Sequence, residues 1–308
     1  MTDQLVPILV ATIAAGTPLV FAALGELVTE KSGVLNLGVE GMMLVGAVAA
    51  FAATAASGSP WSGVLAGAAA GGAMALVFAV LTLTLMANQV AAGLALSLFG
   101  VGLSAFVGKA YESVSLAPSP PLAIPLAADL PGIGPALFVH QPLVYVSWAL
   151  FAAVAWFLYR SRPGLVLRAV GESPQSAHAI GCPVIPIRYL ATLFGGAMAG
   201  VGGAFLSVFY TPLWVENMTA GRGWIALALV VFATWRPARV MIGAYLFGGV
   251  TVVQFFAQGE GVAVPAQFLS MLPYLATIVV LVLISRNINT IRLNAPVSLA
   301  KPFHPEVA

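Results

Sequence analysis

The sequence predicts an all-α polytopic membrane protein, a bundle of about eight to ten transmembrane helices at roughly 20 residues per span. Composition is the first reason. Apolar residues make up 60% of the chain and charged residues 7%, against roughly 25% charged in a soluble domain. A water-facing surface needs more charge than this, and a lipid-facing one does not. Pattern is the second reason. Long runs such as Val64–Met86 lack the period-2 alternation of a barrel strand, so the backbone satisfies itself within helices. Length is the third. The 308 residues suit one membrane domain, 1–308, and no linker divides them.

Nine apolar segments follow one another, at 5–25, 34–56, 62–86, 89–108, 142–160, 188–210, 223–234, 240–257 and 268–285. Met1–Pro7 carries Asp3 and no positive residue. That is unlike a cleavable signal peptide, so the first segment is expected to stay as a span. The segment 223–234 is short for a crossing. It reads as a tilted helix, a half-helix or a re-entrant piece packed inside protein.

Basic residues orient the bundle. Arg160, Arg162, Arg168 and Arg188 form one group, and Arg286, Arg292 and Lys301 another. Placing both in the cytoplasm also brings Lys31, Arg236 and Arg239 inside, and leaves only Lys109 and Arg222 of the 12 basic residues outside. The N-terminus is then external and the C-terminus cytoplasmic. The external loop 109–141 is rich in proline (Pro118, Pro120, Pro121, Pro125, Pro131, Pro135) and is expected to be extended or to cap that end. The loop 161–187 is cytoplasmic. Gly67–Gly71 and Gly196–Gly200 have the small-xxx-small spacing of close helix approach.

Several functions are excluded. A net charge of +2 from scattered residues gives no nucleic-acid surface. One cysteine, Cys182, and three dispersed histidines, His140, His178 and His304, supply no metal-ligand set, and no cofactor is expected. GELVTEKS, Gly25–Ser32, has Glu30 where a phosphate-binding loop needs its second glycine, so if the protein uses ATP, a partner binds it. GRGWIA at 221–226 precedes an apolar segment rather than completing a dinucleotide fold. No catalytic constellation is present.

Ionisable and amide groups near spans mark pathways or local pairs. Glu26, Glu30 and Lys31 can pair locally at the interface. Asn36 and Glu40, spaced i,i+4, would share one helical face and either hydrogen-bond to each other or line a cavity. Asn88 and Gln89 interrupt an apolar stretch, as a tight turn or as part of a substrate route. Phe99, in the segment that follows them, is an aromatic candidate for the same route.

The cytoplasmic stretch RAVGESPQSAHAIGCPVIPIR, residues 168–188, contains a short helix. Ser173 or Glu172 can cap it, with Pro174 in its first turn. Gln175–Ile180 continues it and Gly181 ends it, while Pro183 and Pro186 block extension. Such a helix can dock in a partner's groove or merely connect two spans.

Four stretches together resemble the permease subunits of ABC importers of the branched-chain amino acid and simple-sugar superfamily. They are GELVTEKSGVLNLGVEGMMLVGA (25–47), ANQVAAGLALSLFG (87–100), GESPQSAHAIGCPVIPIRYLATLFGGAMAGVGGAFLSV (171–208) and GRGWIALALVVFATWRP (221–237). The first and last are most similar to purine-nucleoside (guanosine-type) permeases. The resemblance implies a type II-like importer fold in a bacterial inner (plasma) membrane. It implies three partners besides lipid: an ABC ATPase subunit, an extracytoplasmic solute-binding lipoprotein, and a second, homologous permease forming a heterodimer. It also implies that 161–187 holds the coupling helix that inserts into the ATPase. Glu172, Ala177 and Gly181 match its pattern, with Gly181 allowing a reversal where no side chain fits and His178 on the exposed face. Purine nucleosides are the expected cargo, with branched-chain amino acids or sugars as alternatives, and a stand-alone secondary transporter as a different class.

Overall fold

A computed structural model describes residues 2–125, 127–128, 130, 134–259, 265–285 and 294–304. Pro131, Arg286 and Arg292 lie outside them. The helices are α1 (Thr2–Lys31), α2 (Val39–Ser57), α3 (Pro60–Ala79), α4 (Gln89–Gly108), α5 (Gly134–Phe138), α6 (Pro142–Arg160) and α7 (Arg162–Glu172). They continue as α8 (Pro174–Ala179), α9 (Val184–Ala204), α10 (Arg222–Phe232), α11 (Pro237–Gly259), α12 (Ala266–Ser270) and α13 (Leu272–Ser285). Two residue pairs, β1 (Leu122–Ala123) and β2 (Val139–His140), form a minimal antiparallel ladder. Wide π-helical turns extend α3 through Thr84 and α9 through Tyr210. Among the described residues, seven helices are long and apolar enough to cross a membrane.

Glycine sets the centre of the bundle. The two small-residue motifs are each other's partner. A β-carbon at Gly71 would meet Gly200 Cα at 2.8 Å, and one at Gly200 would meet Gly71 Cα at 3.1 Å. Gly46 of α2 also abuts Gly200, so α2, α3 and α9 touch backbone to backbone. In lipid there is no hydrophobic drive between helices, and this close approach gains dispersion contact instead. Leu24 and Leu27 of α1, Met42 and Met43 of α2, Phe78 of α3 and Phe247 of α11 fill the surrounding core. The outer faces stay apolar. Leu98 is 74% exposed and Phe106 81%, which suits hydrocarbon and not water.

The short seventh segment is a half-helix. α10 has 11 residues, about 16 Å at 1.5 Å per residue, roughly half a hydrocarbon core. The chain before it supplies the rest of the depth. Trp214 packs against Ala47, Val48 and Phe51 in the second half of α2. By Thr219 the chain has reached Glu40 in the first turn of α2, about 10–16 Å further along that helix.

The bundle has two distinct ends. At the loop end, the described residues of 109–141 fold back over the helices. Leu116 N donates to Pro212 O at 2.9 Å, Gln141 Nε2 to Phe209 O at 2.5 Å and Tyr145 Oη to Leu122 O at 3.1 Å. His140 sits within this cap, its Nε2 2.9 Å from Ala136 O, and burial lowers its pKa from the usual histidine value. The tail end carries the C-terminus of α1, the 85–88 turn, α7, α8 and residues 294–304.

Gly200→Leu should disrupt the α2–α3–α9 contact, because backbone rather than flexible side chain occupies the space. A loss of more than about 3 kcal/mol is expected for such overpacking. It is read as a lower thermal midpoint in detergent, whereas Gly102→Leu, with open space around it, should leave the midpoint unchanged.

Candidate functional site

The tail end is built from local capping. Ser161 Oγ accepts from Gly164 N at 3.0 Å and starts α7. Ser173 then serves two helices. Its N–H donates to Ala169 O at 2.9 Å, closing α7, and its Oγ accepts from Ser176 N at 3.3 Å, opening α8. Pro174 stands at the first helical position of α8, where its missing N–H costs nothing. The sequence reading of one short helix in this loop therefore becomes two, α7 and α8, hinged at Ser173.

α8 ends in a Schellman motif. Cys182 N donates to Ala177 O at 2.9 Å and Gly181 N to His178 O at 2.8 Å. Gly181 has φ +87°, yet a β-carbon there meets nothing within 4 Å. Its need is backbone handedness, which corrects the expectation that space was lacking.

The four coupling candidates divide between two faces. Ala177 is buried against Val170, Val184 and Phe303. Glu172, His178 and Gly181 are exposed, with Gln175, Ser176 and Ala179 beside them. Ile180, just beyond them, is 79% exposed. An exposed isoleucine flanked by polar residues at a helix tip resembles an anchor awaiting an apolar pocket.

The five pathway candidates are also split. Asn36 is not helical, because α2 begins at Val39, so it shares no helical face with Glu40. Its Oδ1 accepts from Gly38 N at 2.9 Å, forming the turn into α2, and its own N–H donates to Glu26 Oε1 at 3.1 Å. Asn88 caps α4 through Ala91 N at 3.0 Å. Gln89 is buried, its Oε1 accepting from Leu35 N at 2.8 Å. Phe99 lies apart, exposed on α4.

Glu40 has a definite partner. Its Oε1 accepts from Thr219 Oγ1 at 2.5 Å and Gly221 N at 2.9 Å, and its Oε2 from Gly223 N at 2.6 Å. These are the orphan amides that begin α10. The side chain caps the half-helix, where the positive end of the helix dipole favours an acid. Gly223 is obligatory there, since a β-carbon would lie 2.6 Å from Glu40 Oε2.

Glu26, Glu30 and Lys31 do not staple one another, as a local pairing would require. Glu30 Oε2 accepts from Trp235 Nε1 at 2.5 Å, and Lys31 Nζ donates to Asn294 O at 2.6 Å. Each ties the end of α1 to a distant segment. Arg188 is the residue that sequence reasoning missed. Counted as a loop cation, it is 1% exposed. Its Nε donates to Ser32 O at 3.1 Å, Nη1 to Lys301 O at 3.2 Å and Nη2 to Ser298 Oγ at 3.1 Å. The one available signal was its position beside the apolar run 189–210, not among other charges.

Glu40→Ala should strand the two amides and the Thr219 hydroxyl. A loss on the order of 3 kcal/mol is expected, read as a fall in thermal midpoint, with Glu40→Gln losing about half as much. Equal midpoints for Glu40→Ala and parent would contradict the capping role.

The arrangement carries no reaction chemistry among the described residues, and no group of three metal-ligating side chains gathers there. What it offers is a braced, partly exposed helix on a membrane bundle. The family model of the branched-chain amino acid transport system permease component matches residues 8–284. A permease from Haloferax volcanii, provisionally assigned to a glucose ABC transporter, is 42% identical over 96% of this chain and 97% of its own length. The nucleoside ABC transporter permease of Lactococcus lactis is 34% identical, covering 87% of this chain and 88% of its own. The guanosine ABC transporter permease of Bacillus subtilis is 30% identical, covering 90% and 92%. The chain is a multi-pass membrane protein and belongs to the family of branched-chain amino acid-type ABC transport permease components.

Proposed function

We propose that this permease is the translocation subunit of an ATP-driven importer, and that α8 is its contact with the ATPase subunit. The observation that carries this is the presentation of α8. Its inner face is anchored through Ala177, its outer face is free, and Ile180 stands out at the tip. The tail end also gathers Lys31, Arg160, Arg162, Arg168, Arg236, Arg239 and Lys301, which by the positive-inside rule supports a cytoplasmic position for it and for the C-terminus. There α8 faces the compartment that holds ATP. The loop end then faces outward, where a solute-binding lipoprotein delivers cargo. A second, homologous permease completes the route.

Cargo is proposed to be a purine nucleoside, as the nucleoside and guanosine permeases suggest. The more similar relative assigned to glucose favours a simple sugar as the second reading. Both are hydroxylated rings, and only the nucleoside adds a flat base. Asn88, exposed at the cap of α4, and Phe99, exposed on α4 itself, are the earlier pathway candidates best able to meet either cargo. Asn36, Glu40 and Gln89 act instead by holding the chain segments around the route.

Uptake competition in cells carrying the whole transporter separates the cargo readings. Excess unlabelled guanosine should reduce labelled guanosine uptake at least tenfold, with glucose and leucine ineffective. Competition by glucose alone would replace the nucleoside reading with the sugar one. For the ATPase contact, Ile180→Glu and Glu172→Lys should each lower uptake at least fivefold without changing the amount of permease in the membrane. Gly181→Val should act likewise through its backbone, since a left-handed residue costs about 1–2 kcal/mol without glycine. Parental uptake in all three variants would remove α8 from the mechanism.

A further inference from the structure

Residues 294–304, NAPVSLAKPFH, play no part in the coupling-helix pattern, yet they are fastened to every element around it. Ser298 is the fixed point. Its N–H donates to Gly171 O at 3.0 Å, its Oγ donates to the same carbonyl at 2.6 Å, and that Oγ accepts from Arg188 Nη2. Two residues on, Ala300 N donates to Gly33 O at 3.2 Å. At the start, Asn294 O accepts from Lys31. At the far end, Phe303 is buried with Val170, Ala177 and Val184. The His178 ring meets the Phe303 ring edge-on at 5.6 Å between centroids.

The contacts form one path. α8 rests on Phe303. Phe303 belongs to a segment held at Ser298 and Lys301 by Arg188, in the first turns of α9. The third guanidinium bond of Arg188 goes to Ser32, immediately after α1. A buried guanidinium is costly unless it is hydrogen-bonded, and here each of its three nitrogens has an oxygen partner, so this knot resists slipping. α8 itself has only six residues and a hinge at Ser173. Alone it could tilt under load without moving the spans.

We propose that residues 294–304 are a strut, locked by Arg188, that carries displacement of α8 into α1 and α9. This rests on the reading of α8 as the ATPase contact. The strut's outer side adds to that surface. Lys301, Pro302 and His304 are exposed, and Ala300 and Pro302 form one wall of a cavity of about 360 Å³ whose other wall is Met86–Val90. The cytoplasmic face seen by the ATPase therefore includes the strut and the 86–90 turn beside α8.

The test uses the assembled transporter in proteoliposomes. Phe303→Ala removes the ring that seats α8 and leaves the Arg188 knot intact. Uptake should fall at least fivefold while ATP hydrolysis and copurification of the ATPase subunit stay near parental, and Phe303→Leu should recover at least half the uptake. Parental uptake in Phe303→Ala would overturn the proposal. A second measurement replaces the ring contact with a covalent one. With Cys182→Ala as background, His178→Cys and Phe303→Cys are bridged across the ring contact. A rigid strut moves with α8, and the bridge restores the link that Phe303→Cys removes, so the bridged protein should import at least twofold faster than its reduced state. Uptake abolished by the bridge and restored by reductant would show that the two part during transport, and the strut is then wrong. Failure of the underlying reading looks different. Ile180→Glu would then transport normally and retain the ATPase subunit, whatever Phe303→Ala does.

Discussion

One guanidinium withdrawn from water organises the working end of this permease. Arg188 is surrounded by Ser32, Ser298 and Lys301, and each of its nitrogens has an oxygen partner. Leaving one unpaired would cost several kcal/mol, so the two chain segments that provide those oxygens are held in one position relative to α9, which carries the guanidinium. α1 and α9 enter the knot directly, and α7 enters through Gly171. The short α8 depends on it through Phe303. Without this constraint the tail end would be a set of loops between spans. With it, the end is a braced platform from which one helix projects.

A second constraint comes from the bilayer, where every backbone amide must find a partner inside the protein. The half-helix α10 begins within the bundle, and its first amides have no turn before them. Glu40 supplies the acceptors from the first turn of α2. At its other end, Trp235 closes onto Glu30 of α1. Glu40 and Glu30 are therefore spent on the two ends of a broken span. Movement of α1 against α2 would pull on the two ends of α10 in different directions, which places this half-helix between the tail-end knot and the interior of the bundle.

The sequence made the fold class legible because lipid imposes a composition that few soluble chains share. It also made the α8 region legible, since Ser173, Pro174 and Gly181 act on neighbours within five residues. Long-range pairings were not legible. Gly67–Gly71 and Gly196–Gly200 were visible as motifs, but nothing in either says that each packs on the other. Glu40 was read with Asn36, four residues away, while its true partners are about 180 residues downstream. Arg188 was visible only as one of the cytoplasmic arginines, because charge alone does not reveal burial. The reason for Gly181 also changed, since only coordinates distinguish a backbone that requires φ above zero from a site with no room.

The central claim is that α8, braced from behind, is where an ATPase drives this bundle. The most direct measurement is photo-crosslinking in the intact transporter from a benzophenone side chain placed at Ile180, with a second one at Phe106 on the lipid-facing surface as control. The account predicts an adduct between permease and ATPase subunit from position 180, and none from position 106. An Ile180 probe that labels only lipid or another copy of the permease, in a transporter that still hydrolyses ATP and imports cargo, would contradict it.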